Sequence, residues 1–233
     1  MEEYTLKVIA RIHSDFHTKF GIPRQSGLIP ELTAEVVFEP EYRKPEALRG
    51  LEEFSHIWLI WEFSEAVRED WSSTVRPPRL GGNRRVGVFA SRSPFRPNAI
   101  GLSSVRLLGI EKHPEYGEIL LVSGADLMDG TPIFDIKPYL PQGDCHPEAA
   151  GGFTDRLEEP LLQVDFPEEL LKQVPEKSRK ALLEVLAHDA RPGYQRDENR
   201  IYGPPFGGFD VKFQIRGEAL TVLSLEKWEQ EGE

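Results

Sequence analysis

Residues 56–63 are HIWLIWEF, and this segment decides the fold class. An extended segment that is apolar on both faces favours a central strand covered on two sides. RVGVFAS, AIGLSSVRLLGI and GEILLVSGADL follow as further predicted strands, and only EALRGLEEF, near residue 50, is typical of a short helical turn. Two earlier segments alternate as half-buried strands do: Tyr4, Leu6, Val8, Ala10 and Ile12, then Leu32, Ala34, Val36 and Phe38. Short strands separated by Gly and Pro turns predict a mainly β fold, as a closed or sandwiched sheet.

The sequence changes character near residue 144, where a polar, loop-like stretch suggests a linker. PEELLKQ and EKSRKALLEVLAHD then predict two helices, the first of which ends at Pro175. Phe209, Val211, Phe213 and Ile215 alternate as a strand, and ALTVLSLE is its predicted hairpin partner. We therefore expect a β-rich domain over residues 1–145 and a small α+β domain over residues 155–233.

Charge is distributed unevenly along the chain. The formal net charge is −11, yet residues 71–110 contain no Asp or Glu and carry seven arginines, so this segment has a charge of +7. The arginines are Arg76, Arg79, Arg84, Arg85, Arg92, Arg96 and Arg106. A guanidinium fork suits phosphate, carboxylate and stacking on bases, whereas scattered surface arginines usually do nothing specific. An anion-binding face and a merely solvated surface both remain open.

The sequence lacks the motifs of several common enzyme and nucleotide-binding classes. The sequence contains no GxxxxGK[ST], no GxGxxG after a strand, no HExxH and no GxSxG. Cys145 is the single cysteine, which fits a reducing compartment. Cys145 with His146 does not make a set of metal ligands, and the other histidines are not spaced as metal ligands are. No apolar run is long enough to cross a bilayer, so we expect a cytoplasmic protein without a metal site.

Two further segments could carry chemistry. In DLMDGTPIFDIKPYLP, residues 126–141, a strand would place Asp135, Lys137 and Tyr139 on one face, because residues i and i+2 of a strand point to the same side. A surface salt bridge would explain the first two equally well. GIPRQSGL, residues 21–28, is a Gly/Pro loop whose backbone amides could approach a ligand closely.

These segments resemble a known family. RGLEEFSHIWLIWEF, TVRPPRLGGNRRVGVFASRSPFRPNAIGLSSV and DGTPIFDIKPYLP are similar, nearly word for word, to the TsaA-like (TrmO) tRNA methyltransferases. The resemblance includes FGIPRQSGL, LAHDARPGY and the FDVKF hairpin, so it covers nearly the whole chain. It implies a β-barrel S-adenosylmethionine-binding domain, a homodimer, and methylation of N6 of threonylcarbamoyladenosine next to the anticodon of tRNA. It also assigns tRNA recognition to the C-terminal domain.

The resemblance implies site residues motif by motif. The implied cofactor contacts are Ser26, Gly27, Leu28, Ser64, Glu65, Arg92, Leu102, Asp129, Gly130, Thr131 and Pro132. After Phe63, members of the family often carry a histidine and an amide, where this chain has Ser64 and Glu65. We expect the tRNA backbone to contact Arg76, Arg79, Arg84, Arg85 and Arg96. Asp135, with Lys137 and Tyr139, is the candidate for removing the proton of the acceptor nitrogen.

Two other functions remain open from the sequence. One is a non-enzymatic RNA-binding barrel that uses the same arginines and stacks bases on Phe89 and Phe95. The other is a methyltransferase of the same fold that acts on a small molecule. Binding of S-adenosylmethionine would separate an enzyme from a simple binding module.

Overall fold

The computed structural model describes residues 2–67, 70–77, 84–156, 160–189, 191 and 197–228. The chain is mainly β, as predicted. The strands are β1 (Ala10–His13), β2 (Thr33–Phe38), β3 (His56–Glu62), β4 (Thr74–Val75), β5 (Val86–Gly87), β6 (Ile100–His113), β7 (Gly117–Ser123), β8 (Pro132–Pro138), β9 (Gln163–Asp165), β10 (Ile201–Tyr202), β11 (Pro205–Phe206), β12 (Phe209–Arg216) and β13 (Ala219–Lys227). The helices are α1 (Pro141–Asp144), α2 (Glu168–Leu171) and α3 (Glu176–Ala187).

Six strands form a closed sheet in the order β1-β2-β7-β6-β3-β8, in which β8 pairs again with β1. Neighbouring strands are antiparallel throughout, and β6 and β7 are joined by a short turn over residues 114–116. Inward-facing apolar side chains such as Ile12, Val36, Ile57 and Leu59 fill the interior and are fully buried. Closure gives each of the six strands two partners, which leaves no free edge along this sheet.

Strand β3 is central, as HIWLIWEF predicted, since it pairs with β6 on one side and β8 on the other. The expectation that both of its faces are covered is wrong. Ile57, Leu59 and Trp61 point into the core, whereas Trp58 and Ile60 are only half-buried on the outside. A closed sheet has a single interior, so one face of each strand must look outward.

The first strand is shorter than the alternation of apolar residues predicted. It begins at Ala10, and Tyr4 and Leu6 are exposed by 81% and 52%. Strand β2, the partner of β1, ends at Phe38. Pro40 follows it and has no backbone N–H with which to pair with residues 2–8. Residues 2–8 therefore lie outside the closed sheet.

The C-terminal part is built on a sheet in which β10, β12, β13 and β9 are neighbours and β11 pairs with β12. The two predicted helices and the β12–β13 hairpin are confirmed, although α2 ends at Leu171 and not at Pro175. Helix α3 buries Leu182 and Leu186 in a second core, beside strand residues such as Phe213. Phe16, Ile29 and Leu32 from the first part of the chain also join this core, so the loop between β1 and β2 connects the two parts.

The arginine-rich segment forms a separate ribbon, in which β4 pairs with β5. We call residues 71–77 and 84–90 the arginine ribbon. RVGVFAS is a strand only at Val86–Gly87, and a 3-10 helix follows at Val88–Ala90. Among the described residues, no helix is long and apolar enough to cross a membrane.

A tight contact between β3 and β6 yields a test of the fold. Gly101 lies directly opposite Trp61, and a Cβ atom at Gly101 would overlap the indole ring. We expect Gly101→Ala to destabilise the protein by about 1–3 kcal/mol, because the buried ring has to move. Gly109→Ala is the matched control in the same strand, since its Cβ would meet no atom within 4 Å. Equal free energies of unfolding in urea for the two variants would contradict this account.

Candidate active-site cleft

A cleft of about 490 Å³ opens beside the β3 end of the closed sheet. Five segments line it: the loop 19–25, the end of β3 with the turn after it, residues 91–96, the start of β6, and residues 126–131. Its volume is in the range of small-molecule sites, and its wall combines apolar side chains with a few charged ones. We refer to it below as the cleft.

The floor of the cleft carries a directional hydrogen-bond network. The Trp61 indole Nε1 donates to Ser103 Oγ at 3.0 Å, and Ser103 Oγ donates to Asp126 Oδ1 at 2.6 Å. Indole N–H is a donor only, so the serine hydroxyl must accept from Trp61 and give its own proton to the carboxylate. Trp61 and Ser103 are 7% and 1% exposed, so the network holds Asp126 from the core side.

Asp126 is an acid with a shifted pKa that lines the cleft. Burial raises the pKa of its carboxyl, against the opposing effects of the Ser103 hydroxyl, the backbone amides of Asp126 and Ser26, and the charge of Arg92. A carboxyl group in a cleft with such a shift is a candidate for binding or catalysis. Asp126 belongs to the segment 126–141 but was not among the predicted site residues. Nothing in the local pattern separates it from a surface Asp at the end of a strand.

Cationic side chains surround the same cleft. Arg92 Nη1 donates to Gln25 Oε1 at 2.5 Å, and Lys19 Nζ donates to the Glu65 carbonyl oxygen at 2.9 Å. The Glu65 carboxylate lies 3.7 Å from Lys19 Nζ, so the extra negative charge at this position has a nearby cation. Gln25 and Lys19 are further residues that the sequence analysis did not select.

The structure brings several predicted cofactor residues to the cleft. Those that line it are Ser64, Glu65, Arg92, Leu102 and Thr131. Ser26, Gly27 and Leu28 follow Gln25 in the loop at its wall, and the Gly27 amide donates to the Gly124 carbonyl at 2.8 Å. The loop therefore lies against the segment that ends β7. The assignment of these residues to a cofactor stays a prediction.

The turn over residues 129–132 lies next to the wall of the cleft. Asp129 is tied to the first strand, since its carboxylate accepts from the Ser14 amide at 3.2 Å and lies 3.2 Å from His13 Nδ1. Gly130 has φ +75°, a conformation that glycine adopts without steric cost. Thr131 Oγ1 donates to the Met128 carbonyl at 2.7 Å, and Pro132 begins β8.

The predicted tRNA contacts are spread over the arginine ribbon and the cleft. Arg76, Arg84 and Arg85 are exposed on the ribbon, and Arg85 Nη1 donates to Thr74 Oγ1 at 3.0 Å. Arg96 lines the cleft but is held by the Ser91 and Ser93 carbonyls, at 3.0 and 3.4 Å. Arg79 lies outside the described residues. Contact with RNA stays a prediction for all five.

The predicted catalytic set does not reach the cleft. Asp135 and Lys137 share a face of β8, as the strand period required, and form a 2.8 Å ion pair at the surface. Asp135 lines a different depression, of about 680 Å³, and Tyr139 lies beside Trp58 with ring centroids 5.6 Å apart. The geometry corresponds to the surface salt bridge that the sequence left open. A catalytic role for these three residues remains a prediction without support from the cleft.

No group of three or more His, Cys, Asp or Glu side chains within the described ranges is placed to hold a metal ion. The cleft thus combines the half-buried Asp126 carboxylate and the Glu65 carboxylate with several cations. This combination suits a small ligand that carries both signs of charge.

The shifted pKa of Asp126 predicts an unusual effect on stability. A carboxyl whose pKa is raised on folding holds its proton more tightly in the folded state. The stability gained from that proton is fully present below the ordinary Asp value and is lost as the pH rises through the raised value. Ionised Asp126 therefore costs stability at neutral pH. We expect Asp126→Asn to raise Tm by about 1–3 °C at neutral pH, and this gain to shrink as the pH falls.

Asp144→Asn is the control variant, for which the expected change in Tm at neutral pH has the opposite sign. Hydrogen bonds from the Leu140 amide and the Trp58 indole hold the pKa of Asp144 below its usual value. Removal of that carboxylate should lower Tm at neutral pH. Calorimetry of both variants checks the pair, and a lower Tm for Asp126→Asn would assign Asp126 a structural role.

Comparison with known proteins gives this cleft a family context. Residues 11–145 match the tRNA-methyltransferase O N-terminal domain, and residues 159–228 match the TrmO C-terminal domain. The chain is 38% identical to a tRNA (adenine(37)-N6)-methyltransferase of Escherichia coli K12, over 97% of this chain and 99% of the relative. A relative from Pseudomonas aeruginosa, RcsF, carries the name of an S-adenosylmethionine-dependent methyltransferase and is 40% identical over 95% of this chain and 97% of its own.

The fold agrees with a solved structure. TrmO from Pseudomonas aeruginosa superimposes with a TM-score of 0.79 at 33% identity, covering 97% of this chain and 99% of that one. Sequence and structure are thus similar over both parts of the molecule. The chain belongs to the TrmO family.

Proposed function

We propose that this protein is an S-adenosylmethionine-dependent methyltransferase that methylates N6 of the adenine at position 37 of tRNA. The observation that carries this proposal is the cleft, where loop 19–25, residues 64–65, Arg92, Leu102 and Thr131 meet around the half-buried Asp126 carboxylate. Relatives that match nearly the whole chain are named for this activity or for this cofactor.

The cleft fits the cofactor in size and charge. S-adenosylmethionine has a cationic and an anionic group on its amino-acid part, and the cleft offers Asp126 as well as Arg92. Ser26, Gly27 and Leu28 with the turn 129–132 are the backbone-rich segments that would hold it, together with Ser64, Glu65 and Leu102. When bound, the cofactor supplies an electrophilic methyl group.

Catalysis by such a site rests mainly on positioning. In-line transfer of a methyl group requires the acceptor nitrogen to lie close to the donor, and holding two partners in that geometry removes much of the entropic barrier. The apolar wall around Phe63 and Leu102 would exclude water from the reacting groups. We assign no general base.

We further propose that the substrate adenosine carries a threonylcarbamoyl group. Its carboxylate would find a cation in Arg96 or Arg24, which both line the cleft. We also propose that the protein is a homodimer. We propose a cytoplasmic location because the proposed substrate is tRNA. Exposed apolar side chains on the outer face of β6, among them Ile100, Leu102 and Leu108, are a reason to expect a second chain there.

The arginine ribbon is the proposed path of the tRNA backbone. Arg76, Arg84 and Arg85 are exposed there, and Trp71 and Phe89 expose 52% and 76% with their ring centroids 6.2 Å apart. Arginine binds phosphate, and exposed aromatic rings stack on unpaired bases. The part of the chain from residue 155 to 233, built around its own sheet, would provide further tRNA recognition.

The first test is methyl transfer to defined tRNAs. We expect label from S-adenosylmethionine to enter tRNA that carries threonylcarbamoyladenosine at position 37, because the cleft offers cations for its carboxylate. A matched tRNA with guanosine at position 37 should stay unlabelled. Equal labelling of tRNA without the threonylcarbamoyl group would remove that group from the proposal. No labelling of any adenosine-37 tRNA, together with no binding of the cofactor, would reject the enzyme and favour a binding module.

The second test concerns the arginine ribbon. Arg84→Gln combined with Arg85→Gln should raise the tRNA KM by about tenfold, because two phosphate contacts are lost. For the same reason, the slope of the logarithm of the tRNA binding constant against the logarithm of the salt concentration should become shallower by about one to two. Affinity for S-adenosylmethionine should not change.

Lys44→Gln combined with Arg49→Gln is the control, because it removes the same charge from the separate depression. A matching rise in tRNA KM for both double variants would attribute the effect to net charge and not to the ribbon.

A further inference from the structure

Residues 14–17, which follow β1 directly, join the turn over residues 129–132 to the C-terminal part of the chain. We call them the bridging segment. They form neither helix nor strand, yet Phe16 is only 2% exposed and packs edge-on against Phe206, with ring centroids 5.5 Å apart. The segment is thus anchored in the second core, and its other contacts are held in place by that anchor.

Hydrogen bonds join the bridging segment to the residues that begin the turn. The Asp129 amide donates to the Phe16 carbonyl oxygen at 2.7 Å, and Ser14 Oγ donates to the Leu127 carbonyl oxygen at 2.9 Å. The Ser14 amide donates to the Asp129 carboxylate at 3.2 Å. Both segments supply donors and acceptors, so a shift of the bridging segment has to displace the start of the turn or leave these groups unpaired.

The C-terminal part holds the same segment through other contacts. The Gly207 amide donates to the Asp15 carbonyl oxygen at 3.0 Å. The imidazole of His17 stacks on the indole of Trp228, the residue after β13, with ring centroids 4.5 Å apart and planes inclined by 8°. A ring held face to face in this way cannot turn freely about its side-chain bonds, so the stack fixes the direction of the imidazole nitrogens.

His17 contacts both parts of the molecule. Its Nδ1 atom lies 3.9 Å from Asp129 Oδ2, while its ring lies on Trp228. His13 is also beside Asp129, at 3.2 Å, but it belongs to β1 and so to the closed sheet itself. His17 is thus the side chain through which the end of β13 reaches the turn over residues 129–132.

We propose that His17 and Trp228 are positioning residues, which hold the turn over residues 129–132 in the conformation that binds S-adenosylmethionine. The inference rests on the proposed function, and it gives the C-terminal part a role in cofactor binding besides tRNA recognition. Among the described residues that line the cleft, neither is present, so both act through the turn. A turn that is held before the ligand arrives loses less conformational entropy when the ligand binds.

The experiment measures cofactor binding and turnover of the full-length protein with Trp228→Ala. We expect the calorimetric affinity for S-adenosylhomocysteine to fall by about five- to tenfold, and the KM for S-adenosylmethionine to rise by the same factor. The kcat should stay within about twofold, because a contact that supports binding equally in the ground and transition states changes KM alone. Trp228→Phe keeps a ring for the stack and should restore both values to within about twofold of the wild type.

His17→Phe is the second variant, since it keeps a ring on Trp228 but removes the nitrogen that faces Asp129. It should weaken the cofactor to a similar extent. The combination of His17→Phe with Trp228→Ala should be no weaker than either single variant, because both changes break the same link.

Tyr116→Ala is the matched control. It removes another stacked pair, His113 with Tyr116, whose ring centroids are also 4.5 Å apart and whose planes are inclined by 14°. This pair lies at the opposite end of β6 from Ile100 and Leu102, which line the cleft. Its loss should leave the affinity for S-adenosylhomocysteine unchanged.

Three results would overturn the inference. They are an unchanged cofactor affinity in Trp228→Ala and His17→Phe, an equal loss in Tyr116→Ala, and a raised tRNA KM with normal cofactor affinity, which would place Trp228 in RNA binding. If the wild-type protein binds S-adenosylmethionine and only the pattern among the variants fails, this inference falls and the proposed function stands. If the wild-type protein binds neither S-adenosylmethionine nor S-adenosylhomocysteine, the proposed function itself falls.

Discussion

The packing of Trp61 is the contact on which the cleft depends. Its ring lies against Gly101 of the neighbouring strand, at a position that only glycine leaves open, and its N–H holds Ser103 as a donor to Asp126. The same side chain belongs to the core of the closed sheet. Closure of the sheet and orientation of the cleft carboxylate are therefore mechanically linked, because neither Trp61 nor Ser103 has room to turn independently.

Electrostatics explains how an acidic chain can bind anionic partners. The formal net charge is −11, but cations of loop 19–25 and residues 92–96 line the cleft, and further arginines are exposed on the arginine ribbon. Screening limits exposed charges to a range of about 8–10 Å, so this local cationic surface dominates at contact distance. Inside the cleft, the Glu65 carboxylate is likewise balanced locally, because Lys19 lies beside it.

Local patterns predicted much of the fold and part of the site. The alternation in Leu32–Phe38, the helix that buries Leu182 and Leu186, and the β12–β13 hairpin were all predicted because their periods reflect which side chains face a core. The same reasoning failed for Tyr4 and Leu6, where an alternating segment lacks a partner strand. It placed Asp135 and Lys137 correctly on one face but could not tell which surface that face would form.

By itself, the sequence determined the mainly β class, the arginine-rich segment and the family motifs, because each is a property of neighbouring residues. Only the tertiary structure decided that Arg92 and Asp126 share a cleft without touching and that Asp135 lies at a separate depression. The physical reason is closure: pairing of β3 with both β6 and β8 determines which strand ends meet. No periodicity along the chain encodes that meeting.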